Sequence, residues 1–127
     1  MSRTLALLLA TAALGCGAPA PDEAPPSLTE RGTFHIQLVH DDGSFRRGSN
    51  SFRVRAWDAA GAPATLAEAV AVMPSHDHER SVGTINPDGG DFVVDGLLLT
   101  MPGNWRITLR VAQGARSDVA LVGVFIP

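Results

Sequence analysis

The chain has 127 residues, with ten arginines and no lysine against thirteen acids, for a net charge of −3. That balance holds no basic patch of the kind that binds nucleic acid. The sole cysteine, Cys16, excludes an intramolecular disulfide, so packing must hold any fold.

The N-terminus has the plan of a secretory signal. Arg3 supplies positive charge, residues 5–14 are small or apolar apart from Thr11, and Gly15-Cys16 follows. The apolar run is too short for a spanning helix, which needs about 20 residues. The stretch AALGC resembles a bacterial lipoprotein signal, with Ala13 where leucine is commonest. By that resemblance the chain is cut before Cys16, whose thiol carries the lipid. An ordinary secretory signal with an incidental cysteine is the alternative. Gly17 rather than Asp after the cysteine favours the outer membrane, by analogy with enteric bacterial sorting.

Residues 17–30, GAPAPDEAPPSLTE, are rich in Pro, Ala and acid and read as a solvated tether. The expected organisation is therefore a signal at 1–15, a lipidated Cys16 with linker at 16–31, and one domain at 32–127.

From Gly32 onward the pattern has period two. Phe34, Ile36 and Leu38 alternate with His35, Gln37 and Val39, and Phe52, Val54 and Ala56 alternate with Arg53, Arg55 and Trp57. Trp105, Ile107, Leu109 and Val111 alternate with Arg106, Thr108 and Arg110. These are half-buried antiparallel strands. AEAVAVM, DFVVDG, LLLTM and DVALVGVFI are further strand candidates; the stretch around AEAVAVM also carries helix-forming residues. The last is apolar on both faces, as a central or covered strand would be. Turn residues separate the runs at Asp42-Gly43, Ala60-Gly61-Ala62-Pro63, Pro87-Asp88-Gly89-Gly90 and Met101-Pro102-Gly103. The spacing predicts an all-β, immunoglobulin-like antiparallel β-sandwich of about seven strands.

In the order GSNSFRVRAWDAAGAPA, AVAVMPSHDH and DGLLLTMPGNWRITLRV, the chain resembles the YtkA-like domain, related to FixH-type envelope proteins. The matching positions are Gly48, Asn50, Gly61, Pro63, Val70, Val72, Met73, Pro74, His76, His78, Gly96, Met101, Gly103 and Trp105. The resemblance covers about residues 45–112. It implies an immunoglobulin-like sandwich, secreted or membrane-tethered, and no settled activity. FixH-type proteins are associated with assembly of copper-containing oxidases, which implies metal handling by analogy. They carry a membrane helix, whereas this chain has a lipoprotein-like anchor.

If AEAVAVM and NWRITLRV are the neighbouring C and F strands of such a sheet, the loop at 73–78 and the turn at 101–103 share one pole. Thioethers select Cu(I) and imidazole also binds copper. Met73, His76, His78 and Met101 are thus a candidate copper set, with Asp77 and Glu79 as harder donors. The competing reading is that both methionines fill gaps in the core edge, Pro74 and Pro102 end strands, and the histidines are surface.

Ser75-His76-Asp77 has the letters of a triad but not its spatial arrangement. No set of nucleophile, base and orienting group is visible, so no enzyme is expected. His40-Asp41-Asp42-Gly43 and Asp88-Gly89-Gly90-Asp91 read as turns without calcium-loop spacing. His35 reads as an ordinary sheet residue, and Trp57 and Trp105 as packing. Arg53, Arg55, Arg106 and Arg110 are expected on one solvated sheet face. Two functions follow: a lipid-anchored envelope protein binding copper, Cu(I) preferred, or a metal-free module docking another envelope protein.

Overall fold

The computed structural model describes residues 25–40 and 44–127, apart from the side chains of Asp77 and His78. The signal, Cys16 and the Asp42-Gly43 turn lie outside these residues. The strands are β1 (Ser27–Leu28), β2 (Phe34–Val39), β3 (Gly48–Asp58), β4 (Thr65–Met73), β5 (His76–Val82), β6 (Thr84–Asp88), β7 (Asp91–Leu99), β8 (Gly103–Gln113) and β9 (Arg116–Ile126). One sheet runs β1-β2-β3-β7-β6 and the other β5-β4-β8-β9, all antiparallel, and they pack as a β-sandwich.

The alternation in the sequence sets which residues meet between the sheets. Phe34, Ile36, Phe52, Val54, Val94, Leu97 and Leu99 from one sheet face Leu66, Ala69, Ala71, Trp105, Ile107, Leu109 and Val111 from the other. Each large side chain of this set contributes about 1.5–3 kcal/mol relative to exposure. Trp57 instead lies on an outer face, stacked on His35 with ring centroids 5.6 Å apart.

Nine strands stand where about seven were expected. The additional ones are edges. β1 lies within the expected tether, and Thr29 beyond it is buried, so packing begins upstream of residue 32. The charged stretch HDHERSV, read as part of a loop and its exit, is β5; an edge strand tolerates charge on its exposed side. DFVVDG and LLLTM form one strand, β7, with an extra residue near Gly96, whose φ of 68° accommodates the bulge.

Between β5 and β6 the chain changes sheets at Gly83. Its N–H donates to the Ala69 carbonyl at 2.9 Å. A Cβ at this residue would stand 2.6 Å from Val94 Cγ1, so only glycine lets the chain cross so close to the core.

At the opposite side, Asp118 clasps the β1–β2 turn to β9. Its Oδ2 accepts from Thr29 Oγ1 (2.7 Å), Arg31 N–H (2.9 Å) and Thr33 N–H (3.3 Å). Oδ1 accepts from Val119 N–H at 2.9 Å. Burial alone would raise the carboxyl pKa. The bonds from Thr29, Val119, Arg31 and Thr33 outweigh that and hold it well below the usual carboxylate range.

Candidate functional site

The Met/His pole is built by the pairing of β4 with β8. Val72 pairs with Arg106, so the end of β4 lies beside the start of β8, as the strand reading required. Met73 pairs with His76 across a tight hairpin turn at Pro74-Ser75. The stretch 73–78 is therefore a strand end, a turn and a strand start, with a break in register after Val72.

Met73 is 3 % exposed and belongs to the core. A Cβ on Gly103 would stand 2.7 Å from Met73 Cε, so the thioether end reaches the turn that follows Met101. Met101 is half-buried against the same core, and its carbonyl accepts from Trp105 Nε1 at 2.9 Å. His76 is exposed on the hairpin. The side chain of His78 lies outside the described residues. Thus Met73, the 101–103 turn and the His76 hairpin are brought to one end of the sandwich, and both methionines serve core packing. Among the described residues no three His, Cys, Asp or Glu side chains gather as a metal site.

Two polar bonds tie this pole together. Thr100 Oγ1 donates to Glu79 Oε2 at 3.2 Å, and Leu98 N–H donates to Ser81 Oγ at 2.8 Å. Glu79 is thereby a link from β5 to the end of β7.

The arginines divide between two faces rather than lining one. Arg53 and Arg55 lie on β3 and Arg106 and Arg110 on β8, in different sheets, so period-two alternation sends them to opposite outer surfaces. On the five-stranded sheet, Arg53 pairs with Asp88 (2.6 Å) and Arg55 with Asp91 (2.8 Å), which also accounts for both acids of the Asp88–Asp91 turn. On the four-stranded sheet, Arg110 pairs with Glu68 at 3.2 Å. Arg80 and Arg106 have no ion pair among the described residues. Among the described residues, Glu68 is thus the one acid ion-paired with any of these three arginines.

That surface is also apolar. Val70 pairs with Val82, which is 59 % exposed, and Thr108 separates Val70 from exposed Leu121. A depression of about 250 Å³ is lined by Glu68, Val70, Arg80, Thr108, Arg110 and Val119. The sequence signal for this face was present in β9, whose residues are apolar on both sides. The structure places β9 at a sheet edge among the described residues, not at the centre.

No family model, curated protein or solved structure matches the chain.

Proposed function

We propose that this chain is a non-enzymatic interaction module of the bacterial cell envelope, held to the membrane by lipid on Cys16. It docks another envelope protein through the outer surface of β5-β4-β8-β9. The supporting observation is that surface's makeup: Val82, Leu121 and Phe125 stand exposed beside Arg80 and Arg106, which have no ion pair among the described residues. An apolar patch with uncompensated charge of one sign is what a protein partner of opposite charge would bury. The resemblance to YtkA-like envelope domains supports the same setting.

The test is photo-crosslinking in cells from a benzophenone side chain placed at Leu121, with Asn86 on the opposite sheet as control. Docking gives a discrete protein adduct from Leu121 and none from Asn86. No adduct at Leu121, or equal adducts at both, overturns the reading.

A second reading is that Met73, His76, His78 and Met101 hold copper in a metal-handling role. It is favoured by the approach of the Met73 thioether end to the Gly103 turn and by the pairing of Met73 with His76, which set one thioether and a hairpin histidine at the pole that also carries the Met101 turn. Soft donors of this kind would select Cu(I). It stands second because burial in the core already accounts for Met73.

A further inference from the structure

The free edge of β9 differs from every other edge among the described residues. β1 has only two residues and follows Pro25 and Pro26. β6 is five residues long and contains Pro87. β5 breaks register with β4 and carries Arg80. These are the usual ways of blunting an edge. β9 has eleven residues in unbroken register with β8, contains no proline, and exposes Leu121 (47 %) and Phe125 (66 %).

Part of this edge is already covered. Glu30 N–H donates to the Val119 carbonyl at 2.8 Å, and Arg31 Nη2 donates to the Ser117 carbonyl. Because antiparallel pairing alternates, the odd-numbered residues of β9 turn their backbone groups away from β8. Beyond Val119 those groups belong to Leu121, Gly123 and Phe125, and they have no partner among the described residues.

Gly123 sharpens the point. A glycine inside a strand costs roughly 0.5–1 kcal/mol relative to alanine. Here nothing local requires it: its φ is not positive, the register has no bulge, and a Cβ would meet nothing within 4 Å. The remaining reason for a strand glycine is close approach of another group. Its partner on β8 is Arg106, exposed and without an ion pair among the described residues. With no side chain at 123, the Arg106 side chain has an open path across β9 to whatever lies beyond the edge.

We propose that β9 accepts an extended segment of a partner protein as an added strand, with a carboxylate opposite Gly123 and apolar residues opposite Leu121 and Phe125. The inference rests on the docking reading above and names the partner's chemistry. Main-chain bonds to Leu121, Gly123 and Phe125 supply affinity, and Arg106 selects the acid. A second copy of this chain does not fit. The outward-facing residues of its own β9 are Ser117, Val119, Leu121, Gly123 and Phe125, and none carries a carboxylate.

The experiment titrates the full chain bearing Cys16→Ser with the capped peptide Thr-Val-Thr-Glu-Thr-Val-Thr, following amide exchange by NMR. The expected result is slowed exchange at Leu121, Gly123 and Phe125, with β6 unchanged. Replacing the central Glu by Lys turns attraction into repulsion and weakens binding about ten-fold. Arg106→Ala abolishes the difference between the two peptides. The peptide comparison needs no altered protein, so a misfolded variant cannot decide the outcome. No slowing at millimolar peptide, or equal binding of both peptides, overturns the proposal. Slowing at the same amides that grows with protein concentration and needs no peptide also overturns it, in favour of self-pairing. If the peptide fails while the Leu121 adduct forms, the added strand is wrong and docking stands; if both fail, docking falls as well.

Discussion

Replacing Asp118 by Ala removes the acceptor that pins the β1–β2 turn to β9. The residue is 4 % exposed, so water does not readily take its place. Thr29 Oγ1 keeps a second acceptor, the Phe34 carbonyl at 3.2 Å, and loses little. The ion pair with Arg31 spans 3.5 Å to a side chain 72 % exposed, and such pairs contribute little. Val119 N–H, bonded to Oδ1, lies on the side of β9 away from β8, where solvent can replace the carboxylate, so the main cost lies in the N–H groups of Arg31 and Thr33, both bonded to Oδ2. Bonds to a charged acceptor contribute about 1.5–3 kcal/mol each, which puts the loss at roughly 3–4 kcal/mol once the longer Thr33 bond is discounted. For a domain of this size that lowers Tm by roughly 12–25 °C. Urea unfolding followed by fluorescence of Trp57 and Trp105 measures it. The sign with pH is fixed by the lowered native pKa: the unfolded carboxyl titrates near the ordinary value of about 3.9 and the native one below it. The stabilisation is full above about pH 5 and is lost as pH falls below about 4. The difference between wild type and Asp118→Ala must therefore shrink in acid. A difference under about 1 kcal/mol at pH 7, or one that grows as pH falls, refutes the clasp.

Gly83→Ala places a Cβ 2.6 Å from Val94 Cγ1 at the crossing between sheets, and valine has little rotamer freedom to yield; urea midpoints should show a loss of about 1–3 kcal/mol. Cys16→Ser should move the protein from the membrane to the soluble fraction on cell fractionation if lipid on that thiol is the anchor. For the copper reading, competition of the full chain against a chromophoric Cu(I) chelator should show one-to-one binding that His76→Ala together with His78→Ala removes. Absence of binding to the wild-type chain ends that reading.

The period-two alternation exposed the core because it records burial directly. Phe34, Phe52, Val54, Ile107 and Leu109 are all buried where the pattern placed them. The neighbourhood of β4 and β8, which brings Met73 toward the 101–103 turn, was legible only through the strand order of an immunoglobulin-like sheet, since alternation does not say which strands are neighbours. Edges were not. An edge strand such as HDHERSV need not alternate, since one side meets solvent, and β9 carries apolar residues on a face that is left open. Whether such a strand is central or terminal depends on what pairs beyond it, which its own residues do not state. The Asp118 clasp joins residues 89 apart through a carboxylate and a threonine, and neither has a local signature.

The open edge and the Met/His pole adjoin. Gly103, at the end of the Met101 turn, pairs with Ile126, and Asn104 pairs with Phe125. A strand added along β9 would end beside the turn on which Met101 lies, so a partner could alter the pole without touching its side chains. The two readings remain separable because their decisive residues occupy different rows. Leu121→Lys adds a charge at the middle of the open edge, remote from Met73 in register, and should weaken the peptide while leaving any Cu(I) affinity unchanged. The double histidine substitution should do the reverse. If each change affects only its own ligand, edge and pole act independently. If Leu121→Lys shifts Cu(I) affinity, the edge and the pole are coupled through β8, and linkage requires copper to change peptide affinity by the same factor.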